Sequence, residues 1–120
     1  MIMETNRWVG VTIDCSDPHR LAGFWGTLLG LSVDEEPLPG WARVGRKDPG
    51  PEITLQPVPE PKQGKVRVHL DINVADIDRG IAQVIELGGS ATGERHDYDE
   101  GVVVIMQDPE GNEFCLVQYY

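Results

Sequence analysis

The sequence predicts an α+β fold in which two successive βαβββ modules form a cupped mixed sheet with the helices on its convex side. Three observations carry this. The chain repeats itself at an offset of 59 residues, so that residues 9–17 align with residues 68–76. In each copy an alternating apolar segment runs into an aspartate, an amphipathic stretch and a terminating glycine, the order strand, cap, helix, stop. Each helix is then followed by three short β-type runs separated by proline, glycine and aspartate.

The elements follow in order. Residues 9–15 alternate, with Val9, Val11, Ile13 and Cys15 on one face and Gly10, Thr12 and Asp14 on the other. Asp17 is a good N-cap and Pro18 suits the first helical position, where its missing N–H costs nothing. Leu21, Phe24, Trp25, Leu28 and Leu29 form one apolar stripe, read as core, and Gly30 ends the helix. Strands are expected at 32–36, 41–46 and 52–58. A proline-rich connector covers 57–64 and separates module 1 (about 7–58) from module 2 (about 65–120) within one domain, 1–120.

In the second copy a strand over 68–74 sets Val68, Leu70, Ile72 and Val74 against His69, Asp71 and Asn73. Asp76 caps a helix with the stripe Ile77, Ile81, Val84 and Ile85, stopped by Gly88 and Gly89. Strands are expected at 90–96, 102–107 and 113–119, with a proline–glycine turn at 108–112 between the last two.

Composition narrows the function. A 120-residue chain with 40% hydrophobic and 25% charged residues is globular and has length for one core. It has no apolar run of the roughly 20 residues a membrane span needs. The first residues lack the layout of an export signal, which predicts a cytoplasmic location. Cys15 and Cys115 are expected as free thiols. A net charge of −10 argues against nucleic acid; it either suits a cationic ligand or serves solubility.

Sorted by parity, the non-core strand face carries Thr12, Asp14, Thr54, Gln56, His69, Asp71, Asn73, Glu113 and Cys115. Short polar side chains, a histidine and a thiol belong in a small-molecule site rather than on a solvated face, which would favour long charged residues. The face is therefore expected to line a polar cup in which Asp14, His69, Asp71 and Glu113 converge.

The aspartate-terminated strand, the Leu-Ala-x-Phe-Trp-x-x-Leu-Leu-Gly helix (21–30), His69-Leu-Asp-Ile-Asn-Val-Ala-Asp76 and Asp108-Pro-Glu-Gly-Asn-Glu-Phe-Cys115 together resemble the glyoxalase/bleomycin-resistance/dioxygenase (vicinal oxygen chelate) superfamily. The likeness is to its small glyoxalase-like members and covers nearly the whole chain. It implies a half-barrel of paired modules, often a homodimer, around a ligand. It also implies a divalent metal on one residue from the first and last strand of each module. Those positions fall on Gly10, Gln56, His69 and Cys115, of which only His69 matches; whether a metal is bound stays open, with a zinc site completed by Asp14 or Glu113 as an alternative.

Two functions follow. One is an enzyme, a lyase, isomerase or dioxygenase acting on a small oxygenated metabolite. In it His69 is the general base and Asp71 or Glu113 orients it or acts as acid, while Thr12, Asp14, Gln56, Asn73, Cys115 and Trp41 bind the ligand. The other is a protein of the bleomycin-resistance type that sequesters a drug or metabolite. Trp41, Tyr98, Tyr119 and Tyr120 are candidates to stack on a planar ligand. A purely structural or regulatory module is a third reading.

Overall fold

The computed structural model describes residues 6–35 and 37–120. Glu36, at the end of the expected second strand, and most of the N-terminal stretch inspected for an export signal lie outside the described residues. The chain divides into two compact units, Met1–Pro59 and Glu60–Tyr120, with the division inside the expected connector. The order is β1 (Gly10–Cys15), α1 (Pro18–Leu29), β2 (Val33–Glu35), β3 (Ala42–Val44) and β4 (Glu52–Pro57), then β5 (Asp71–Asn73), α2 (Ile77–Glu86), β6 (Ser90–Tyr98), β7 (Gly101–Gln107) and β8 (Glu113–Tyr119).

Each unit is a βαβββ module with one four-stranded mixed sheet, ordered β1-β4-β3-β2 and β5-β8-β7-β6. In both, the first strand runs parallel to the last. The remaining pairs are antiparallel. The connection that a parallel pair requires is the helix together with the two strands that follow it. Among the described residues no helix is long and apolar enough to cross a membrane.

In the first unit the Asp17 carboxylate accepts from Arg20 N at 3.2 Å, and Gly30 closes α1 in the left-handed region at φ 66°. The helix packs on β3 and β4, burying Leu21, Ala22, Phe24 and Trp25 with Ala42, Val44, Ile53 and Leu55. Phe24 and Trp25 meet edge to face, centroids 5.2 Å apart and planes at 89°. Side chains of this size contribute roughly 1.5–3 kcal/mol each on full burial, so this layer dominates the unit's stability. Leu28 and Leu29, nearer the end of the stripe, are half-buried.

In the second unit Asp76 accepts from Arg79 N at 2.9 Å, and Gln118 Oε1 on β8 accepts from Ile77 N at 2.8 Å. Both satisfy first-turn amides of α2 that have no partner within the helix. Ile77 and Val84 are buried with Val102, Val104, Met106, Phe114 and Leu116, the helix-facing positions of β7 and β8. Ile85 is 52% exposed, so the α2 stripe is narrower than its periodicity suggested. The turn after β7 is locked by Asp108, whose carboxylate accepts from Glu110 N, Asn112 N and Asn112 Nδ2.

The largest departure from expectation is β5. It spans three residues rather than 68–74, leaving His69 ahead of the strand and Val68 77% exposed. The partner strand sets the limit: β8 begins only at Glu113, so the parallel register leaves residues 66–68 opposite the preceding turn, and Val66 N donates instead to the Glu113 side chain at 3.1 Å. In the opposite sense β6 runs on to Tyr98, bulged between Ala91 and Arg95.

Candidate site on the second sheet

Site positions in the first unit lie on β1 and β4. Thr12 pairs with Thr54 and Asp14 with Gln56. Thr12 and Asp14 are exposed, and Gln56 is half-buried. Trp41 is half-buried just ahead of β3, where its N donates to Leu38 O at 3.0 Å. Cys15 is buried, and its thiol donates to the Gln56 carbonyl at 3.7 Å.

Gly10, at the start of β1, pairs with Glu52 rather than with Gln56, which lies four residues further along β4. A Cβ on Gly10 would sit 2.1 Å from Glu52 O, so no side chain can stand there without moving backbone. Arg43 Nε and Glu52 Oε2 are both buried without a hydrogen bond and lie 3.7 Å apart, a pair held by charge alone.

The second unit concentrates its site positions on the β5-β8-β7-β6 face turned away from α2. Asp71 pairs with Cys115 and Cys115 with Ile105, while Glu113 pairs with Gln107. Asn73, Val117, Val103 and His96 form the adjoining row. His69 lies two residues ahead of β5, outside its pairing with β8. His69 is exposed.

The electrostatics centre on Glu113. Its Oε1 has no well-angled hydrogen bond but lies 2.7 Å from Lys62 Nζ, and its Oε2 accepts from Val66 N. Lys62 also donates to the Gly64 carbonyl. The Lys62 contact holds the Glu113 carboxyl below its usual range, against the opposing effect of burial. Burial raises the Cys115 thiol, and the Asp71 carboxylate raises it further, so Cys115 is a buried neutral thiol and a poor nucleophile. On β6, His96 Nε2 lies 2.7 Å from Glu94 Oε2, and this bond holds the Glu94 carboxyl low, assisted by the charges of His96, Lys65 and His69.

A hollow of about 390 Å³ opens on this face between Lys62, Lys65, Thr92, Glu94, Gln107 and Glu113. Of these only Glu113 was read as a site residue from sequence. Lys62 and Lys65 sit in the segment read as a stiff connector and its exit. Thr92 and Glu94 sit in the bulge, which breaks the strand alternation on which face sorting depends.

The residues present do not fit the divalent metal of the superfamily. The first-strand position is closed to any side chain at Gly10. The expected last-strand positions carry the Gln56 amide and the buried, neutral Cys115 thiol, and the nearby carboxylates of Glu52 and Glu113 each lie beside a cation of their own unit. Among the described residues no group of three or more His, Cys, Asp or Glu side chains is placed to hold a metal ion.

A family model described as a glyoxalase-like domain matches residues 10–117. The anthracycline biosynthesis protein DauV of Streptomyces sp. (strain C5) is 31% identical over 117 residues, covering 92% of this chain and 40% of its own length. The chain thus spans two fifths of that relative. A glyoxalase/bleomycin resistance protein/dioxygenase family enzyme from Burkholderia phytofirmans PsJN superposes with a TM-score of 0.75 at 13% identity, over 95% of this chain and all of that one. TnmS3, an antibiotic binding protein from Streptomyces sp. CB03234, superposes at 0.69 with 23% identity, over 98% and 100%. These two structures share the fold.

Proposed function

Given that the chain belongs to the glyoxalase-like domain family, we propose that it binds a small oxygenated organic molecule on the second sheet and does so without a metal ion. The observation that carries this is the pairing of Glu113 with Lys62: the carboxylate two residues before the expected Cys115 position already has a cation at 2.7 Å. The hollow beside it offers Lys65, Thr92 and Gln107, groups that donate to ligand hydroxyl or carbonyl oxygens. Similarity to an anthracycline biosynthesis protein supports an oxygenated natural product as the ligand class, and sharing a fold with an antibiotic binding protein supports binding as the activity.

Binding without turnover is the reading preferred here. Metal-free turnover would rest on His69, whose ring has no hydrogen-bond partner among the described residues. A homodimer and a cytoplasmic location belong to the same reading, to be tested by sedimentation velocity and cell fractionation.

Calorimetry with 1,4-dihydroxyanthraquinone tests the proposal, run in EDTA and again with Ni²⁺, Mn²⁺, Fe²⁺ or Zn²⁺ added. Binding is expected to persist in EDTA and to weaken at least fivefold in Lys65→Ala and Gln107→Ala. Tight stoichiometric metal binding that His69→Ala abolishes would overturn it, as would a ligand affinity that appears only with metal.

A further inference from the structure

Cross-strand pairing sets Tyr98 opposite Gly101 and Gly101 opposite Tyr119, one row across β6, β7 and β8. Directly opposed residues share a face, so two aromatic rings flank a position that carries no side chain. Two strand spacings separate their Cα atoms by about 10 Å, room for one flat ring at van der Waals distance from each. Nothing larger can fill the gap, because a Cβ on Gly101 would lie 2.2 Å from Gln118 O.

The Tyr98 ring and the backbone at the end of β8 are held in place, yet both rings are uncovered. Tyr98 stacks on His96, with centroids 6.3 Å and planes 25° apart. Tyr120 N donates to Glu100 O at 2.8 Å, tying the end of β8 to the β6–β7 turn. Even so, Tyr98 is 56% and Tyr119 69% exposed. Beside them lies a hollow of about 230 Å³ with Val103 and Val117 in its lining. Its charged lining residues are Asp71 and Glu100, and among the described residues no basic side chain lines it.

We infer that this slot binds a planar aromatic cation between Tyr98 and Tyr119. Tyrosine faces attract positive charge through their quadrupole, and the two carboxylates add to that attraction while opposing an anion. The net charge of −10 works in the same direction at longer range. The inference rests on the proposed function only in taking the same sheet face as the one that receives ligand. It adds a second subsite and a different chemistry.

The test uses the full chain at low salt with three probes: proflavine, a flat cation; anthraquinone-2-sulfonate, a flat anion; and cyclohexylamine, a cation with no aromatic face. Proflavine is expected to bind once per chain and more tightly than either other probe. Tyr98→Ala and Tyr119→Ala should each weaken it about tenfold, while Tyr98→Phe and Tyr119→Phe, which keep the ring, stay within about twofold. Asp71→Asn combined with Glu100→Gln should remove the preference for the cation. An anion that binds as well as proflavine and is weakened by the same alanine variants, or proflavine affinity untouched by both alanine variants, overturns the inference. So does a dimer that either alanine variant dissociates, since the rings would then be covered by a second copy. Failure of Lys65→Ala and Gln107→Ala to affect the dihydroxyanthraquinone would count against the proposed function while leaving the proflavine result standing.

Discussion

At the scale of single residues, charge and contact shift Glu113 and Cys115 in opposite directions, and both shifts have measurable consequences. The Glu113 carboxyl is held low in the folded state by Lys62, so its contribution to stability is present above the unfolded carboxyl pKa and lost as pH falls through the folded one. Urea unfolding should therefore show the wild type losing stability below about pH 4.5. Glu113→Gln should be less stable at pH 7 and have a shallower acid limb. An identical acid limb in the two proteins would contradict this. Cys115 shifts the other way, raised by burial and by Asp71. Its thiol should react with Ellman's reagent at pH 8 at least about tenfold more slowly than an exposed cysteine, and Asp71→Asn should speed it.

At the scale of elements, three side-chain links stand out: Asp76 and Gln118 at the start of α2, and Asp108 in the last turn. Asp108 is only 3% exposed and takes four donor contacts from Glu110 and Asn112. Asp108→Ala should cost about 2–3 kcal/mol in denaturant unfolding, against about 1 for Asp76→Ala. Equal costs would mean that the turn is not a pinned element. These links also show what could be read from sequence. Asp17, Asp76 and the residues 108–112 turn were legible because each acts on amides a few residues away. Gln118 was not, since its partner Ile77 is far off in the chain and nothing local marks a strand glutamine as a helix cap. The shortened β5 was hidden for the same reason: residues 68–74 alternate, but where their partner strand β8 begins is decided far off in the chain.

At the scale of the whole molecule, the repeat was visible because apolar spacing and capping aspartates survive sequence drift. The internal cations were not. Arg43 reads as an ordinary strand residue and Lys62 as part of a spacer, and only folding sets them against Glu52 and Glu113. The excess of acidic over basic residues, 20 to 10, implies a molecule that repels itself. Raising NaCl from about 10 to 500 mM should raise the melting temperature by a few degrees through screening. A fall would show that attractive pairs outweigh the repulsion.

Gly10 leaves the fold with a step that runs in one direction. Where a donor has merely been replaced, a point substitution restores it. Here the Glu52 carbonyl occupies that space, 2.1 Å from where a Cβ would begin. Gly10→His is therefore expected to lower the melting temperature and to gain no Ni²⁺ or Zn²⁺ affinity in calorimetry. Placing a ligand there needs the β1–β4 backbone to be rebuilt first, so position 10 is open to redesign only together with its neighbouring strand.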